Sequence, residues 1–205
     1  MALNTSSPHS IWLKNPLAIL ANNAQGGLVI EGQKIIELVP QGQQPIHTCN
    51  EVMECHDLVI LPGLINGHHH FYQTLTRALP QSLNKPLFGW LQSLYPVWAG
   101  LEPDMLYQAT RLALAELLLS GCTTAADHHY LFPDALTEAM DIQAAAAASI
   151  GMRMTMTRGS MSLGTDDGGL PPQNTVQQED IILVDSERVI KRYHNAAEGS
   201  MLQVA

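Results

Sequence analysis

The feature that most constrains this chain is the run Leu61-Pro62-Gly63-Leu64-Ile65-Asn66-Gly67-His68-His69-His70. It reads as a short buried strand, Leu58 to Leu61, carried through a Pro-Gly turn into Leu64 and Ile65 and ending in three imidazoles. Successive side chains of an extended segment point to opposite faces, so His68 and His70 share one face and His69 points away. One strand can then offer two neutral nitrogen donors to a single cation, and imidazole suits zinc, iron, nickel and copper. Two such ligands are half of a tetrahedral site. A solvated loop tip is the competing account of a His triplet. An affinity tag fits poorly, because this triplet is internal and follows an apolar run.

The segment Pro62 to His70 resembles the first-strand motif of the amidohydrolase superfamily, Pro-Gly-(apolar)-(apolar)-(Asn/Asp)-x-His-x-His. Its continuation, Phe71-Tyr72-Gln73-Thr74-Leu75-Thr76-Arg77, is similar to the branch holding 8-oxoguanine deaminases and hydroxy-s-triazine aminohydrolases. So are Ser120 to Thr124 with Asp127-His128, Arg158 to Ser162, and Gly168 to Pro172. The resemblance implies hydrolytic deamination assisted by one divalent metal, zinc or alternatively iron, with His68 and His70 as ligands. It also implies a His from a fifth strand, an Asp from an eighth and further proton-moving groups, all of which would lie beyond Ala205. No catalytic residue is therefore identified in this chain, which looks like the N-terminal half of such an enzyme.

The fold expected is α/β: about the first half of a (β/α)8 TIM barrel over residues 58–205, preceded at 1–57 by strands of a small β-sandwich. In the first part, Leu28 to Glu31 and Lys34 to Val39 flank Gly32-Gln33, a hairpin signal. After His70, a long connection to about residue 102 holds Phe71, Tyr72, Phe88, Trp90, Tyr95 and Trp98. It reads as a loop that either lines a pocket for a flat heterocycle or packs onto the barrel. Pro103 to Ser120 keeps helical spacing and stops at Gly121; Asp134 to Ile150 and Glu179 to Glu198 read as further helices, stopped by Gly151 and Gly199. Cys122 to Ala126 with Asp127-His128-His129, Met152 to Arg158 and Met201 to Ala205 read as strands. Half a barrel would leave an apolar inner face and two open sheet edges.

Other candidate residues are assigned by position. Gln73 offers an amide to a purine-like edge, Arg158 a donor to a ring carbonyl, and Trp90 a stacking surface. His69, Asp127 and His128 are expected to support the ligands or touch the substrate, although a two-residue separation would also let Asp127 and His129 turn together toward a metal.

Composition bounds the partners. The chain has 205 residues, 46% hydrophobic and 14% charged, and a net charge of −9. That acidity excludes a phosphate-backbone surface, so the expected partner is a small heterocyclic molecule rather than a nucleic acid. Cys49, Cys55 and Cys122 form no CxxC pair, and the first twenty residues show neither a leader nor a membrane span. A reduced, cytoplasmic protein is expected, homo-oligomeric in its full-length form.

Overall fold

The computed structural model describes residues 9–205; the first eight residues of the stretch in which no leader is expected lie outside it. Contacts divide the chain into two units, Met1–Pro62 and Gly63–Ala205.

The first unit holds β1 (Ser10–Lys14), β2 (Ala18–Ile19), β3 (Gly27–Glu31), β4 (Lys34–Val39), β5 (Glu51–Glu54) and β6 (Val59–Ile60). Four strands form a sheet in the order β4-β3-β1-β5, antiparallel except for the parallel β1–β5 pair. The expected hairpin is present as β3–β4, its turn made possible by Gly32 at φ +56. Trp12, Val29 and Val39 form the buried cluster, and the Trp12 indole donates to Gly26 O at 3.2 Å. Gly27 sits at φ +111, and a Cβ there would lie 1.8 Å from Leu13 O. Gly27→Ala should therefore cost more than about 1 kcal/mol, read as faster amide exchange at Trp12 and Val29.

Leu58 to Leu61 departs from expectation. Only Val59–Ile60 is a strand; it pairs in parallel with Ala18–Ile19, and Leu58, Val59 and Leu61 are exposed rather than buried. The apolar run alone could not show that its partner is a two-residue strand too short to cover it.

The second unit begins with β7 (Leu64–His69), followed by α1 (Leu87–Trp98), α2 (Pro103–Leu119), β8 (Cys122–His129), α3 (Ala139–Ile150), β9 (Arg153–Arg158), α4 (Glu179–Tyr193) and β10 (Leu202–Val204). The four strands form one parallel sheet ordered β10-β9-β8-β7. Alternation along β9 buries Met154, Met156 and Arg158 beneath helices while Thr155 and Thr157 take the other face. On β8, Ala125, Asp127 and His129 are buried, and Ala126 and His128 take that other face. The open face is thus richer in threonine and histidine than the apolar face expected. Leu106, Ala113 and Leu114 of α2 and Met140, Ala144 and Ala147 of α3 complete the core.

The β7–β8 ladder is irregular. Asn66 pairs with Ala125 and His69 with Asp127, three steps along β7 against two along β8, which is the signature of a bulge. The Asn66 side chain accepts the His68 N–H at 3.1 Å within it.

Three expected elements change. The connection after His70 is not a loop: it contains 3-10 turns at Phe71–Thr76 and Pro80–Ser82 and then α1. Helix α3 starts at Ala139 rather than Asp134, because the Asp134 N–H donates to Asn174 O and Leu136 N–H closes a turn on Pro133 O. Helix α4 ends at Tyr193 rather than Glu198, where the His194 ring turns to meet the backbone of Val204 in β10.

Candidate metal centre and substrate cavity

The bulge and the end of β7 put His68 and His70 together. Their ring centroids are 4.9 Å apart and edge to face, and the His128 ring lies 4.4 Å from His68 and 6.1 Å from His70. His128 therefore shares a face with the pair, while Asp127 and His129 point beneath the helices. The alternative that turned Asp127 and His129 toward a metal is corrected by this parity: both are fully buried on the opposite face.

His70 Nδ1 lies 2.6 Å from His128 O, so that nitrogen carries the proton and Nε2 keeps its lone pair. Burial lowers the His70 pKa, as it does that of His69, favouring neutral imidazole in both. Anchored Nδ1–H with free Nε2 is the arrangement of a metal-ligating histidine, and two imidazoles fit half the coordination of zinc. Among the described residues no group of three or more His, Cys, Asp or Glu is arranged to hold a metal ion.

Asp127 accepts the Phe71 N–H on Oδ1 at 2.7 Å and the Gln143 amide of α3 on Oδ2. Burial pushes its pKa up to about 7 against the lowering effect of those bonds. His129 donates from Nε2 to Leu131 O at 2.7 Å, and burial pushes its pKa down to about 4.

A cavity of about 410 Å³ lies beside His70, with His69, Gln73, Arg77, Lys85 and Trp90 among its walls. Its size suits a small heterocycle. Gln73 makes one long side-chain contact, 3.4 Å to the Tyr72 hydroxyl, and the Trp90 ring rests edge-on against Trp98 at 5.3 Å. Of the six aromatics in this segment, Phe71, Tyr72, Tyr95 and Trp98 are buried in the core and Phe88 is exposed, so Trp90 alone of them lines the cavity.

Arg158 does not line it. Its nitrogens donate to Asp185 at 2.9 Å, Gly159 O at 2.7 Å and Gln177 at 2.6 Å, and its guanidinium lies 4.1 Å from the Phe132 ring centre. The expected substrate donor is committed to tying β9 to α4 and to the loop before it. Sequence reasoning misses two residues near the site: Tyr130, whose ring meets His70 at 5.3 Å, and Gln143. Tyr130 lies two positions after His128, and that spacing could have flagged it; Gln143 carries no such signal.

A parallel sheet with helices on one face and a cluster of imidazoles where β7 ends defines an α/β protein with its candidate site at the strand ends. The chain belongs to the amidohydrolase family, whose model matches residues 59–202. It is 58% identical over 197 residues to an 8-oxoguanine deaminase of Pseudomonas aeruginosa, covering 95% of this chain and 44% of that protein. It is 36% identical over 157 residues to a hydroxydechloroatrazine ethylaminohydrolase of Pseudomonas sp. strain ADP, covering 75% and 33%. Among solved structures, a zinc-complexed atrazine chlorohydrolase from Arthrobacter aurescens TC1 superposes with a TM-score of 0.81 at 28% identity, covering 96% of this chain and 45% of that one. The chain thus spans less than half the length of these relatives. No helix among the described residues is long and apolar enough to cross a membrane.

Proposed function

We propose that this chain is the N-terminal portion of a metal-dependent deaminase that replaces an exocyclic amine of a purine-like heterocycle with water, 8-oxoguanine foremost, and releases ammonia. The observation that carries the chemistry is the His68–His70 pair on one face, with His70 Nδ1 anchored and Nε2 free. The 58% identity to an 8-oxoguanine deaminase supports the substrate. In this reading the four-stranded sheet is the first half of an eight-stranded barrel, and the first unit contributes to a small β-sandwich.

His68 and His70, with ligands from later strands, would hold a zinc or alternatively an iron ion, and that ion would supply the Lewis acidity that lowers the pKa of water. Burial keeps His70 neutral, and His128 O, by holding the Nδ1 proton, sets which tautomer is present. His128, on the same face, and Tyr130 close the near side of the site. Gln73 presents an amide to adjacent nitrogen and oxygen atoms of the ring, and Trp90 gives the flat substrate a wall. Asp127 supports the strand end from behind, His69 contributes to the cavity wall beside His70, and Arg158 holds the end of β9.

The second enzyme reading, a hydroxy-s-triazine aminohydrolase or a pterin or guanine deaminase, draws on the likeness to the triazine enzymes. A third reading, a non-catalytic half-barrel completed by a second chain, draws on the two outer strands, β7 and β10, each paired on one side only. The test is ammonia release from 8-oxoguanine, guanine and a hydroxytriazine by a protein in which this chain is joined to the remainder of its relatives' length. Release from 8-oxoguanine at the highest kcat/KM is expected, and no release from any of the three would reject the deaminase reading. The 205-residue chain by itself should show negligible turnover, since two imidazoles leave a catalytic metal short of its usual three protein ligands.

A further inference from the structure

Strand β7 ends at His69, so the backbone beyond it leaves the ladder just where His70 must be held. Phe71 is fully buried, and its N–H would have no ladder partner there. Asp127 supplies that partner, accepting the Phe71 N–H at 2.7 Å, while the next residue on β8 offers its carbonyl to His70 Nδ1 at 2.6 Å. Two consecutive residues of β8 therefore grip two consecutive residues of the chain leaving β7, one through a side chain from behind the sheet and one through its backbone carbonyl. Gln143, fully buried in α3, bonds the other oxygen of Asp127 and ties this grip to the helix layer.

We propose that Asp127 is a positioning residue: by fixing the Phe71 N–H under the hold of Gln143, it keeps His70 where the His128 carbonyl can set its tautomer and leave Nε2 directed to the metal. This rests on the reading of His68 and His70 as a metal-binding pair. A carboxylic side chain buried this completely costs stability unless each oxygen is used, and here both are. The clamp requires a short acceptor with two polar atoms, not a charge. The Asp127→Asn side chain would keep an oxygen for the Phe71 N–H. Its amide could donate to Gln143 Oε1, a buried atom that has no partner now, after rotation of the Gln143 amide. A leucine of similar bulk would leave the Phe71 N–H unpaired.

The test uses the 205-residue chain with zinc alone as the probe, its affinity measured by competition with a chromophoric chelator. Long-range proton–nitrogen spectra report the His70 tautomer without metal. Asp127→Leu should weaken zinc binding about 10- to 100-fold and erase the single Nδ1–H tautomer of His70, whereas Asp127→Asn should retain both to within about threefold. A role confined to packing would not be rescued by Asn while leaving the tautomer mixed in the Leu variant. If His70→Ala weakens zinc but Asp127→Leu does not, the positioning role is overturned and the metal pair stands. If His70→Ala leaves zinc affinity unchanged, the metal pair itself fails, and the positioning role with it. Should the Leu variant not fold, Asp127→Ala takes its place with the same expected losses; its retention of both readouts overturns the positioning role, and a His70 ring protonated on Nε2 in the unaltered chain overturns it as well.

Discussion

Trp98→Ala should cost about 3–5 kcal/mol of unfolding free energy, the range for deleting a fully buried large aromatic, with a correspondingly lower urea midpoint. Trp98 is wholly buried at the end of α1, where its ring meets Tyr72, Trp90 and Tyr95 at centroid distances of 5.2, 5.3 and 5.7 Å. Its indole N–H donates to Thr76 Oγ1 at 3.0 Å, tying α1 back to the 3-10 turn that follows His70. The truncation opens a cavity, takes a donor away from Thr76 Oγ1 and removes the support behind Trp90, so the wall of the cavity beside His70 should loosen with it. Trp98→Phe keeps most of the ring volume and should lose less than half as much. Equal losses for Ala and Phe would show that the hydrogen bond, not the packing, holds this segment.

Asp127→Asn should change how stability depends on pH more than it changes stability at any one acidic pH. Burial raises the Asp127 pKa from its ordinary 3.8 to about 7, so between those values the folded chain holds a proton that the unfolded chain has released. Stability from this group is therefore full below pH 3.8 and lost as pH rises toward 7, at about 1.4 kcal/mol per unit and on the order of 4 kcal/mol in all. His129 works in the opposite sense. Its pKa falls from 6.5 to about 4, so the unfolded chain binds the extra proton and stability rises with pH across that window. The two slopes oppose each other in the native chain. Once the carboxyl is replaced by an amide only the His129 slope remains, and the variant should gain on the parent steadily from about pH 4 to about pH 7 in urea titrations. Parallel stability curves for the two would mean that Asp127 is ionised throughout.

How much of this was legible depends on whether the deciding contact was local. The β3–β4 hairpin followed from Gly32-Gln33 between two β-rich runs, and α2 from Pro103 at its first turn and Gly121 at its stop. The Met/Thr alternation of β9 was legible because period-two burial is written into the residues themselves. Helix α1 was hidden by its own breakers: Gly89 near its start and Pro96 in its last turn are signals of a loop, and burial of Leu94, Tyr95 and Trp98 overrides them. The partners of Arg158 were equally invisible, since Gln177 and Asp185 are 19 and 27 residues away. For the site, the pairing of His68 with His70 was available from spacing alone. Which members of Asp127-His128-His129 would join them was not, because it depends on how two strands are aligned.

The bulge between Asn66 and His69 bears on which changes of chain length this strand can absorb. Asn66 lies opposite Ala125, on the helix-covered side, so an uninterrupted ladder of the same length would send His68 and His70 to that side as well. One supernumerary residue reverses the sense of everything that follows it. Deleting Gly67 would remove the surplus and, by parity, leave both imidazoles facing the cleft. A length-neutral change that straightened the strand would instead hand His69, a single imidazole, to the cleft and drive its two neighbours under the helices.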